Sequence, residues 1–131
     1  MHTNLRLSHT RSIAIAAPPE TVFDLVSDPA ALPRWAPGFA RSARPSGDHW
    51  IIENDQGEAR IVVHSSREHG TVDILSADDP GQGAYSRVLP NGTGSEYQFT
   101  LQFPSDAPED AITAQMAVVD AELEAVRALC E

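Results

Sequence analysis

Few residues in this 131-residue chain could do chemistry. Its five histidines, His2, His9, His49, His64 and His69, are scattered over candidate strands and turns. His64 and His69 stand five positions apart across a strand end, a spacing that suits no standard ligand pair, so no metal is expected. The single cysteine, Cys130, lies on an apolar helical stripe and reads as a small inert hydrophobe. There is no G-x-S-x-G, and Asn91-Gly92-Thr93-Gly94 reads as a hairpin turn rather than a phosphate cradle, so no cofactor is expected either.

What remains is acid–base or anchoring work by His64, Arg87 and Tyr97. If Arg60 faces solvent, strand parity puts Val62 and His64 on the same wet face. Arg87 shares parity with Tyr85 and Leu89, against Ser86 and Val88. Two outcomes stay open: Arg87 points inward as an anchor for a carboxylate or phenolate, or Tyr85 and Leu89 lie on the wet face. Buried, Arg87 would need a partner, which Asp73, Glu53 or a ligand could supply. Tyr97 could offer a hydroxyl into a cavity.

Composition narrows the partners. Nine arginines and no lysines stand against 19 acids, a net charge of −10, which a phosphate backbone or an anionic membrane surface would repel. Hydrophobic content of 41% with 21% charged residues is that of a globular chain rather than a disordered one. No stretch reaches the ~18 apolar residues that cross a bilayer, and nothing resembles a signal peptide. The expectation is a cytoplasmic single domain over residues 1–131.

The elements that must position these groups follow from periodicity and turn chemistry. Ile13 and Ile15 alternate with small and polar residues, marking a strand over about residues 5–16. A-P-P-E then starts a short helix running to about Ser27, with Val22, Phe23 and Val26 on its apolar face. Six strands follow, over Ala40–Arg44, His49–Asn54, Ala59–Ser66, Thr71–Ser76, Ala84–Leu89 and Glu96–Phe103. Gly, Pro, Asn or Asp clusters separate them, including Asp79-Pro80-Gly81. In the last strand Tyr97, Phe99, Leu101 and Phe103 face one way and Gln98, Thr100 and Gln102 the other, so one side of the sheet is wet.

After Pro104 the period becomes helical. Asp106-x-x-Glu109 reads as a capping box, and Ile112, Met116, Val119, Leu123, Val126 and Cys130 form one stripe. Asp110, Gln115, Glu122 and Glu124 fall mostly off it. From Ala107 to Cys130 such a helix spans about 36 Å, enough to cross a sheet.

The stretch S-D-P-A-A-L-P-R-W-A-P-G-F, residues 27–39, holds Trp35 and Phe39 between prolines 29, 33 and 37. The prolines forbid a long helix yet hold the aromatics stiffly. The stripe of the long helix is the apolar surface able to reach Trp35, whose ring should be largely buried near Met116 or Val119.

This order resembles the START-like, helix-grip superfamily and its polyketide cyclase/dehydrase-like bacterial members. S-I-A-I-A-A-P-P-E-T-V-F-D-L-V-S-D-P-A-A-L-P-R-W-A-P-G-F is similar to their first strand and helix pair, R-V-L-P-N-G-T-G-S-E-Y-Q-F-T-L-Q-F to their last hairpin, and D-A-E-L-E-A-V-R-A-L-C-E to the end of their long helix. The resemblance implies an α+β fold: a curved antiparallel sheet of about seven strands wrapped around a long C-terminal helix. Two short helices after the first strand plug one end. It carries no shared catalytic signature.

The expected function is binding of a small hydrophobic or aromatic molecule in an apolar cavity between sheet and helix, small because the chain is short. Candidate ligand-binding residues are Trp35, Phe39, Trp50, Ile52, Ile61, Val63, Arg87, Tyr97, Phe99 and Met116. The alternative is a cyclase- or dehydratase-type enzyme, with Arg87 or Tyr97 polarising an oxygen and His64 or an acid as base. A homodimer through a sheet edge or the long helix is left open.

Overall fold

Turn residues set the sheet, and its register sets which side chains face inward. The computed structural model describes residues 5–79 and 81–131; His2 and Pro80 of the expected turn lie outside them. The elements are β1 (Leu7–Ile15), α1 (Pro19–Val26), a single 3-10 turn (Pro29–Ala31), α2 (Leu32–Trp35), β2 (Ser42–Ser46), β3 (His49–Asn54), β4 (Gly57–Ser66), β5 (Thr71–Ser76), β6 (Gly83–Asn91), β7 (Gly94–Phe103) and α3 (Glu109–Cys130). All seven strands join one curved antiparallel sheet in the order β1-β7-β6-β5-β4-β3-β2. Successive strands from β2 to β7 are hairpin neighbours, and β1 closes on β7 from Leu7 opposite Phe103 to Ile15 opposite Ser95.

The hairpins are tight because glycines take the left-handed backbone. Gly47 (φ 62°) turns β2 into β3, and Gly92 (φ 59°) turns β6 into β7. Gly70 (φ 72°) has a second reason: a Cβ there would sit 2.4 Å from the Val88 carbonyl oxygen. The close approach lets Val88 N donate to Gly70 O at 2.8 Å.

Strands β4, β6 and β7 start one or two residues earlier than expected and β6 also ends later, and larger departures fall at β2 and at the start of α3. Ala40 is fully buried and its N–H donates to Ala36 O at 2.9 Å, closing the turn that follows α2, and β2 starts at Ser42. Pro45 lies within β2, which the sheet tolerates at its edge. The capping box is not formed: Pro108 takes the N-cap position of α3, no side chain caps it, and Asp106 stands outside the helix. Glu109 and Asp110 still put negative charge in the first turn, where the helix dipole favours it.

The proline-broken stretch resolves into two short pieces. Asp28 Oδ1 accepts from Ala30 N at 3.0 Å to cap the 3-10 turn, and α2 carries its proline in the first turn, where no N–H is missed. At the same end, Arg67 of the β4–β5 connection pairs with Asp24 at 2.7 Å and lies 4.7 Å from the centre of the Phe23 ring.

Helix α3 leans to one side of the sheet. It buries Ile112, Met116, Val119, Leu123 and Val126, as the stripe predicts, and packs chiefly on β1, α1 and α2. Arg11 of β1 pairs with Asp120 of α3 at 3.2 Å on that side. α3 packs less closely on β3, β4 and β5, whose inner residues Ile52, Ile61, Val72 and Ile74 are nonetheless buried in the core.

Candidate functional site

A cavity of about 630 Å³ occupies the space that the lean of α3 leaves open, bounded by α2, one flank of α3 and the inner face of the sheet. This is mid-range for small-molecule sites, larger than the chain length led us to expect. The reason is geometric: a helix packed toward β1 cannot also fill the β3–β5 half of the grip.

Five expected site residues line it: Trp35, Phe39, Ile52, Ile61 and Phe99. Trp35 is 2% exposed and meets Phe99 edge to face, ring centroids 6.5 Å apart at 86°. Burial of Trp35 and the packing of α2 on α3 agree with the expected position, although its aromatic neighbour belongs to the sheet. Phe39 stands at the rim, 36% exposed, and its carbonyl accepts from Asn54 Nδ2 at 2.8 Å.

The other five do not line it. Trp50 and Val63 share the inward parity of Ile52 and Ile61 but pack, partly buried, against the core. Tyr97 and Met116 are fully buried within the core. Arg87 is a correction: the register sets it opposite Gln98, with Val88 opposite Tyr97, so its side chain is on the outer face. There Arg87 Nε donates to His69 O at 3.3 Å. His64, opposite Asp73, is on the same outer face. Two of the three groups singled out for acid–base work are thus outside the cavity.

The polar lining is different from the one expected. Glu122 and Gln115 reach the cavity from α3, though both were read as off the apolar stripe. They sit seven residues apart, two full turns, and so share one flank; that spacing was the available signal. Glu122 makes no hydrogen bond or ion pair among the described residues, and burial pushes its carboxyl up to about 7. The two arginines at the lining are Arg60, paired with Asp78 at 3.2 Å, and Arg6, exposed at the edge.

Two buried donors beside this region lack an acceptor, Trp35 Nε1 and Tyr97 Oη. Ser86 neighbours the Tyr97 hydroxyl without hydrogen-bond geometry, and donates its own proton to Val72 O at 2.7 Å. Burial keeps the Tyr97 hydroxyl protonated, well above the ordinary tyrosine range, and the Glu122 charge adds to the effect. Among the described residues no group of three His, Cys, Asp or Glu is placed to hold a metal, and no helix is long and apolar enough to cross a membrane.

A seven-stranded antiparallel grip closed on one long C-terminal helix, with two short helices at one end and a cavity between, defines a START-like protein. The chain belongs to the family described as polyketide cyclase / dehydrase and lipid transport, whose model matches residues 6–131. Its fold is similar to that of protein XoxI from Bacillus cereus (18% identity, 94% of each chain covered, TM-score 0.76). It is also similar to a START superfamily protein from Mycobacterium smegmatis (16% identity, 94% of this chain and 96% of that one, TM-score 0.72). A third likeness is the Aha1 dimer from Colwellia psychrerythraea (14% identity, 92% and 96% covered, TM-score 0.68). No match was found among curated proteins.

Proposed function

We propose that this protein binds one small hydrophobic or aromatic molecule in the cavity between the sheet and α3. The observation that carries the reading is the cavity itself: about 630 Å³, walled by Trp35, Phe39, Ile52, Ile61 and Phe99. A concave apolar surface of that size offers dispersion contacts and area removed from water to a molecule that fits it. We read the location as cytoplasmic, the working unit as one domain, and the partner as a small molecule rather than a nucleic acid, which a net charge of −10 would repel.

Native mass spectrometry of protein purified from its own host, with a thermal-shift screen of aromatic and polyketide-like compounds, tests the reading. Bound small molecules and a raised Tm are expected. A screen in which nothing raises Tm, together with host-purified protein carrying no ligand, would overturn it.

A cyclase- or dehydratase-type reaction is the second reading, and Glu122 is the observation that keeps it. With His64 and Arg87 outside, the cavity still holds one carboxyl whose proton is exchangeable near neutral pH. Turnover by the wild type that is lost in Glu122→Gln would establish it.

A further inference from the structure

Among the described residues Glu122 is the one carboxylate at the cavity wall, and no cation there pairs with it. Of the cations on α3 and the elements packed against it, Arg34 of α2 lies toward Cys130 at the far end of the helix, and the others are engaged. Arg11 of β1 is taken by Asp120, Arg60 of β4 by Asp78, and Arg127 of α3 by Glu124. Arg6, ahead of β1, is exposed, so water and salt screen its charge. Tyr97 of β7, close enough to feel Glu122, stays a neutral phenol.

A half-buried carboxylate left without a partner is costly, and chains normally pair such a group. Here the space beside it is a cavity rather than packed protein, so the missing partner has room to arrive from solution. The same lining holds aromatic side chains, with Phe39 exposed at the rim and Trp35 and Phe99 edge to face and nearly buried behind it.

We propose that the ligand is an aromatic or alkyl amine, its ammonium group held by the Glu122 carboxylate and its apolar body seated against Trp35, Phe39 and Phe99. The proposal rests on the ligand-binding reading above and names the class of molecule for that site. An ammonium donates charge-assisted hydrogen bonds to the carboxylate and offsets its desolvation, which a neutral alcohol of the same shape does only in part. The chain's net charge of −10 also draws cations toward the protein.

The test uses matched pairs on the whole protein: tryptamine with tryptophol, and naphthylethylamine with naphthylethanol, titrated calorimetrically at pH 8 and pH 5.5. At pH 8 each amine should bind the wild type roughly 10-fold tighter than its alcohol. Glu122→Gln should abolish that preference, and the preference should shrink at pH 5.5 as the carboxyl protonates. Amines and alcohols binding alike, or a preference that survives Glu122→Gln, would overturn the amine assignment and leave ligand binding standing. If neither member of either pair binds, the ligand-binding reading fails for molecules of this size, and the amine assignment with it. The melting curve of Glu122→Gln checks that the variant is folded.

Discussion

Asp120 and Glu122 stand two residues apart on α3 and face opposite flanks of its buried stripe, about 200° apart around the axis. Asp120 meets Arg11 of β1 at 3.2 Å, while Glu122 meets no cation among the described residues and borders the cavity. One carboxylate lies on the side toward which the helix leans, and the other on the side the lean opens.

This asymmetry gives Glu122 a pH signature. Its ordinary value is 4.5 and burial lifts it to about 7 in the fold, so the folded state binds the proton more tightly than the unfolded chain. The contribution is harmless below pH 4.5, and stability declines as pH rises from 4.5 to 7, with the full cost present above. Glu122→Gln should therefore stabilise the protein by on the order of 2 kcal/mol at pH 8, the carboxyl being partly open to solvent, and change little at pH 4. Urea midpoints across pH check this; an equal effect at both ends would show that the carboxyl is not desolvated.

Trp35 anchors α2 against the sheet with almost no exposed surface. Trp35→Ala should cost ~3–5 kcal/mol, since the ring is core as well as cavity wall. A loss below about 1 kcal/mol in urea unfolding would mean that the ring is not packed as described.

Ala84 on β6 borders the hollow with its side chain inward, opposite Leu101. Ala84→Phe should be accommodated at a cost under about 1 kcal/mol, where the same enlargement in a filled core costs ~1–3 kcal/mol. It should also abolish binding of any compound that raises the wild-type Tm. A large loss of stability would mean that this wall faces packed atoms.

Arg87 and His64 lie on the outer face. Arg87→Ala and His64→Ala should each leave ligand affinity unchanged and shift stability by less than about 0.5 kcal/mol. A marked loss of affinity in either would mean that the strand facing is wrong.

Much of the architecture was legible in order along the chain. Turn residues at Gly47, Gly70 and Gly92 are local, because a left-handed backbone needs glycine wherever it occurs. The alternation through Tyr97 and Phe99 and the stripe from Ile112 to Val126 are likewise local periods, and both reached the core as read. His49–Asn54 and Thr71–Ser76 matched their strands to the residue.

The site was legible only in part. Arg87 has apolar neighbours on both parities, Val88 against Tyr85 and Leu89, so no local pattern fixes its face. Its pairing with Gln98 does, and pairing is a contact between distant segments. Glu122 shows the same division. Its place on the flank of α3 follows from counting residues along a helix, which the chain alone supplies. Whether that flank meets protein, water or a hollow depends on how a rigid helix seats on a curved sheet, and that seating is settled by the summed contacts of β1, α1 and α2 with α3.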